Sequence, residues 1–64
     1  MIRAKLNSKS PEDIINFINL RHPEFRGKIY YDERLKELVS NDRNIEVYFD
    51  PIHAVLEIKY HTDS

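Results

Sequence analysis

The chain has 64 residues, of which 41% are apolar and 33% charged, with one glycine and no cysteine. A chain this short makes one domain and buries only about 60% of the surface its unfolded form exposes, so a thin core has to carry it. The missing thiols exclude a disulfide framework and a zinc–thiolate site, and no apolar run approaches the ~20 residues that span a bilayer.

Met1–Asn7 lacks the apolar block of a signal peptide, so the expectation is an intracellular, cytoplasmic protein with no membrane contact. The net charge of −1 is unevenly spread. Residues 1–31 carry six Lys/Arg against three Asp/Glu, net +3, and residues 32–64 carry four against eight, net −4. Such a split can orient a partner or a second copy.

Ile2, Ala4 and Leu6 alternate with Arg3 and Lys5, which predicts a short strand. Ser10-Pro11-Glu12-Asp13 marks a helix start. Ser10 is placed to accept from free first-turn N–H groups, Pro11 sits at N1, and two acids face the positive end of the dipole. Ile14, Ile15, Phe17 and Ile18 then share an arc of about 160°. Pro23 pushes His22 out of helical space, ending this helix near Arg21.

Phe25 is expected to anchor the following loop, and Gly27 to occupy a backbone position that a side chain would strain. Lys28-Ile29-Tyr30-Tyr31 suits either a short strand or a lead-in to a helix. Asp32 suits an N-cap, and Tyr31, Leu35, Leu38 and Val39 form a second helical arc of about 100°, so a second helix is predicted here. Ser40–Asn44 is a turn cluster that stops it.

The last twenty residues predict a β-hairpin. Ile45, Val47 and Phe49 alternate with Glu46, Tyr48 and Asp50; Leu56, Ile58 and Tyr60 alternate with Val55, Glu57 and Lys59. Two registers keep the apolar residues on one face. Pairing Asp50 with Val55 sets Glu46 against Lys59 and Phe49 against Leu56. The other sets Glu46 against Glu57. Turn chemistry leans to the second, which keeps Asp50-Pro51 inside the loop; charge pairing favours the first, with a loop of Pro51-Ile52-His53-Ala54, and the first is expected. The expected fold class is α+β in the order β-α-α-β-β. Two helices would cover one face of a small three-stranded antiparallel or mixed sheet, with the last strand central and Ile2, Ala4, Leu6, Ile45, Val47, Phe49, Leu56, Ile58 and Tyr60 facing the helices.

Little of this points to catalysis. His22, His53 and His61 show no i, i+4 spacing, no serine sits in a nucleophile elbow, and one glycine cannot build a phosphate loop. Asp50 and His53 flank a turn, where a carboxylate has a structural use before a chemical one. The expectation is a non-enzyme without metal or cofactor.

The order strand, two helices, hairpin resembles a trimmed winged-helix unit in topology. That resemblance implies nucleic-acid binding, with the second helix as reader. The basic residues available are Arg21, Arg26 and Lys28 after helix 1, Arg3 and Lys5 on the first strand, and Tyr30 to stack on bases. The expected second helix, however, offers Glu33 and Glu37 beside Arg34 and Lys36, and the expected wing carries Asp50 and no cation.

The favoured expectation is a protein-interaction module that regulates, inhibits or bridges a larger protein, or pairs with itself as a homodimer. Tyr48 and Val55 interrupt an otherwise polar outer sheet face, Ile52 and His53 protrude at the hairpin tip, and a sheet edge stays open to strand addition.

Overall fold

The period-two alternation at the end of the chain builds the sheet that organises everything else. In the computed structural model, which describes residues 1–61, β4 (Ile45–Asp50) and β5 (Val55–Tyr60) pair antiparallel. Asp50 lies opposite Val55, Glu46 opposite Lys59, Tyr48 opposite Glu57 and Phe49 opposite Leu56, the register that charge pairing favours. β1 (Ile2–Lys5) adds on the other side of β5, also antiparallel, giving the order β1-β5-β4 with β5 in the centre as expected.

α1 runs Pro11–Arg21, with Pro11 in its first turn and Glu12 and Asp13 at its positive end. Its N-terminus differs from expectation in one respect. The Ser10 hydroxyl makes no cap hydrogen bond; the Ser10 carbonyl accepts the first helical bond, from Ile14 N–H. The bracing hydroxyl is Ser8 Oγ, which accepts from Ser10 N–H at 3.0 Å and donates to Asp13 Oδ2 at 2.7 Å. The helix ends as Pro23 requires, and Pro23–Phe25 form a single 3-10 turn. Gly27 follows with φ +78°. A Cβ there would meet nothing within 4 Å, so the demand for glycine is purely one of backbone conformation.

The predicted second helix is absent. Residues 29–40 instead form a second hairpin, β2 (Ile29–Asp32) with β3 (Glu37–Ser40), in a separate two-stranded sheet. The described chain is therefore α+β with one helix and five strands in two antiparallel sheets. Asp32 explains the misreading. Its Oδ1 accepts from Arg34 N–H at 2.8 Å and Leu35 N–H at 3.1 Å, the bonds an N-cap makes and equally the bonds that open a turn. Lys36, at φ 55°, then leaves helical space and closes a four-residue loop. The other hairpin repeats the device: Asp50 Oδ1 accepts from Ile52 N–H at 2.9 Å, and Ala54 closes the loop at φ 55°. Each left-handed non-glycine residue costs about 1 kcal/mol, so pairing and burial in the strands have to offset both.

Burial supplies that offset. Ile29 and Leu38, one from each strand of the second hairpin, join Leu6, Ile14, Ile18, Phe25, Ile45, Leu56 and Ile58 in one core. Ile2, Ala4, Val47 and Phe49 pack at its margin. Tyr60 departs from its expected core role. It is 52% exposed at the open end of the sheet, with its ring centroid 6.0 Å from that of Phe25. Leu35, expected in a helical arc, sits at the hairpin loop and is 58% exposed.

Candidate functional site

The alternation that buries Ala4, Val47, Leu56 and Ile58 sends Arg3, Lys5, Glu46, Tyr48, Val55, Glu57 and Lys59 to the opposite face of the three-stranded sheet. The cross-strand rows follow from the register: Lys5–Val55–Asp50, then Arg3–Glu57–Tyr48, with Lys59–Glu46 beyond. The face is stitched by ion pairs. Arg3 Nε lies 3.7 Å from Glu57 Oε1, and His61 Nε2 donates to Glu46 Oε2 at 2.6 Å. At its centre Tyr48 is 63% exposed and Val55 half-buried. A concavity of about 380 Å³ surrounds them, lined by Arg3, Lys5, Tyr48, Asp50, His53, Val55 and Glu57.

The tip residues behave differently from one another. Ile52 stands out, 80% exposed. His53 is exposed but tethered: its Nδ1–H donates to Asp50 Oδ2 at 2.8 Å, which turns the ring toward the concavity. Asp50 therefore does two things, opening the turn with one oxygen and holding the imidazole with the other.

The three histidines are not brought together. His53 lies at the tip and His61 at the far end of β5, a strand length of about 20 Å away. His22 sits on the helix side between Phe17 and Phe25. Each has its own carboxylate neighbour: Glu24 beside His22, Asp50 beside His53 and Glu46 beside His61. Among the described residues no group of three or more His, Cys, Asp or Glu is arranged to hold a metal ion.

The basic residues separate in the same way. Arg3 and Lys5 belong to the outer face. Arg21 lies on the helix side, its guanidinium 5.9 Å from the Phe17 ring centroid, and Arg26 is exposed just beyond the 3-10 turn. The sheet stands between Arg3 and Arg21, because Ile14 and Ile18 of α1 pack on its inner face. Lys28 Nζ is 3.7 Å from Asp42 Oδ2, which partly neutralises it, and Tyr30 is 47% exposed on the small hairpin. The winged-helix comparison needed a recognition helix over residues 32–39, and that segment is a hairpin.

Sequence reasoning missed the Glu46–His61 pair. A signal existed: His61 stands two residues beyond Lys59, which the register sets opposite Glu46, and is therefore the diagonal neighbour of Glu46. It also missed a second hollow of about 450 Å³, which runs beside Lys9, Ile14, Tyr31, Lys36 and Phe49. That hollow exists only because residues 29–40 fold as a hairpin. Among the described residues no helix is long and apolar enough to cross a membrane.

Both imidazole-bonded carboxyls are held below the ordinary carboxylate range. For Glu46 the chief cause is the His61 hydrogen bond, followed by attraction to His61. For Asp50 it is the His53 hydrogen bond, followed by the Ile52 amide. A carboxyl depressed on folding binds more protons in the unfolded chain, so its stabilisation is present above its unfolded pKa and is lost as the pH falls through its folded one. Stability measured by urea unfolding is expected to decline as the pH drops below about 4. Glu46→Gln and Asp50→Asn should flatten that decline, since Asn keeps the turn-opening oxygen and loses only the charge. Slopes identical to the wild type would show that these pairs do not couple to folding.

No family model, no curated protein and no solved structure matches this chain.

Proposed function

We propose that this protein is a non-catalytic interaction module that docks another protein on the outer face of its three-stranded sheet. The observation that carries the reading is Tyr48. It is a large amphipathic side chain, 63% exposed, beside Val55 and inside a shallow concavity whose rim alternates cation and anion. Tyrosine recurs at interface centres because it buries much area at low entropic cost, and a charged rim sets orientation and partner choice. Ile52 at the tip extends the apolar surface beyond the concavity. The scattered histidines, each beside a separate carboxylate, support a binding role over a catalytic one.

The test uses the intact chain as bait in extract from its source cells, with Tyr48→Ala and Leu20→Ala compared side by side. Leu20 is 78% exposed on the helix side and serves as the control. Tyr48→Ala is expected to shift folding stability by no more than about 0.5 kcal/mol and to weaken capture of a partner tenfold or more, while Leu20→Ala leaves capture intact. Sedimentation of the purified protein identifies the case in which the partner is a second copy. A bait that retains the same proteins at the same strength with and without Tyr48 would sink the reading.

A further inference from the structure

The two edges of the three-stranded sheet are not equivalent. β4 continues from β3 through the four residues 41–44, and β3 packs against it. Among the described residues β1 has β5 as its only strand partner, and no turn or loop backbone bond reaches Arg3 or Lys5. Leu6 N–H donates to Ala54 O at 2.8 Å, and residues 4 and 2 continue that ladder opposite Leu56 and Ile58. Antiparallel pairing alternates, so the N–H and C=O groups of Arg3 and Lys5 point away from β5, toward the open edge.

The residues that offer the free backbone groups are thus the residues that carry the cations. A strand arriving at this edge would exchange hydrogen bonds with Arg3 and Lys5, and the side chains opposite them would lie on the same outer face. A second copy of β1 in antiparallel pairing would set Arg or Lys against Arg or Lys in each hydrogen-bonded register, a repulsive arrangement. Lys5 lies opposite Val55 and has no carboxylate in ion-pair contact among the described residues, while Arg3 is already shared with Glu57. The charge pattern therefore selects against self-pairing and in favour of alternating acids.

We propose that the β1 edge is a binding site for an extended segment of another protein, added as a fourth strand, with Asp or Glu at alternate positions facing Arg3 and Lys5. Backbone bonding supplies the attachment and the acids supply the selection. The edge borders the Tyr48 face and shares Arg3 and Lys5 with the rim of its concavity, but attachment here runs through the outward backbone groups of β1 and does not require Tyr48, which lies two strands away.

The probe is a capped Glu-Val-Glu-Val-Glu-Val peptide, with Lys-Val-Lys-Val-Lys-Val as its counterpart, titrated into the full chain at low salt and followed by amide exchange. The acidic peptide is expected to bind, to slow exchange of the Arg3 and Lys5 amides, and to weaken with added salt; the basic peptide should bind about tenfold less well. Lys5→Glu should reverse that preference, and Lys5→Gln should narrow it should the reversal disturb folding. Leu20→Ala, on the helix side, should leave edge binding unchanged, and slowed exchange at the Arg3 and Lys5 amides, which docking on the Tyr48 face alone does not require, separates failure here from failure of that surface. Absence of binding, equal binding of both peptides, or protection located around Lys9 and Lys36 instead of Arg3 and Lys5 would each overturn the proposal.

Discussion

Leu56→Ala is expected to leave a large fraction of the protein unfolded at room temperature. Leu56 is fully buried on the central strand, flanked by Ala4 on one side and Phe49 on the other. Its truncation removes transfer energy and opens a cavity that two paired neighbours cannot close, a cost of about 3–4 kcal/mol. A domain of this length holds roughly 3–5 kcal/mol in total. Urea titration followed by circular dichroism would show the loss as a midpoint near zero denaturant. Leu56→Ile, which conserves volume and suits a strand, should cost less than about 1.5 kcal/mol and keep a cooperative transition. An alanine variant that unfolds within 1 kcal/mol of the wild type would mean that the helix and second hairpin do not depend on this sheet.

Phe25→Ala is expected to be nearly as damaging, at about 3 kcal/mol or more. Phe25 is 5% exposed, and its ring lies between His22 and Tyr60, with centroids at 6.3 Å and 6.0 Å. It therefore ties the end of the helix to the open end of the main sheet, across a 3-10 turn with little holding power of its own. Phe25→Leu should retain most of the burial and lose the ring contacts, costing about 1 kcal/mol. The alanine variant should release local structure first at residues 22–28, visible as faster amide exchange there than in β5. Uniform loss of protection across both segments would show instead that Phe25 acts on the whole core at once.

The two hairpins explain where sequence reading succeeds and where it fails. In β4–β5 each strand alternates over six residues, so only one side can be apolar and a one-residue slip is forbidden. The charge opposition of Glu46 then decides between the two registers that remain. In residues 29–40 each strand has four residues, too few for alternation to exclude a helix. Tyr31, Leu35 and Leu38 satisfy a helical arc, while Ile29, Tyr31 and Leu38 satisfy a strand pattern across a turn. Asp32 is no arbiter, since its carboxylate makes the same bonds at a helix start and at a turn. The informative signal was the likeness of Asp32-Glu33-Arg34-Leu35-Lys36 to Asp50-Pro51-Ile52-His53-Ala54: an acid opening a four-residue loop between apolar segments.

The candidate surface was legible for the same reason the main hairpin was. Outward residues follow from inward ones, so alternation alone places Tyr48, Val55 and the charges around them on one face. The tether of His53 to Asp50 and the pairing of His61 with Glu46 depend on side-chain positions that alternation does not specify. The separation of Arg21 and Arg26 from Arg3 and Lys5 likewise required knowing on which side of the sheet the helix lies.

By itself, then, the sequence determines the extent of the first helix, the register of the final hairpin and the composition of the outer face. Each is set by local periodicity, proline geometry or charge between adjacent strands, interactions that act over a few residues. The tertiary structure alone decides that residues 29–40 are strands and which sheet edge is left open. A segment whose local preferences are balanced goes where its apolar side chains bury best, and Ile29 and Leu38 bury together with Ile14, Ile18 and Phe25 only when the chain between them folds back as a hairpin.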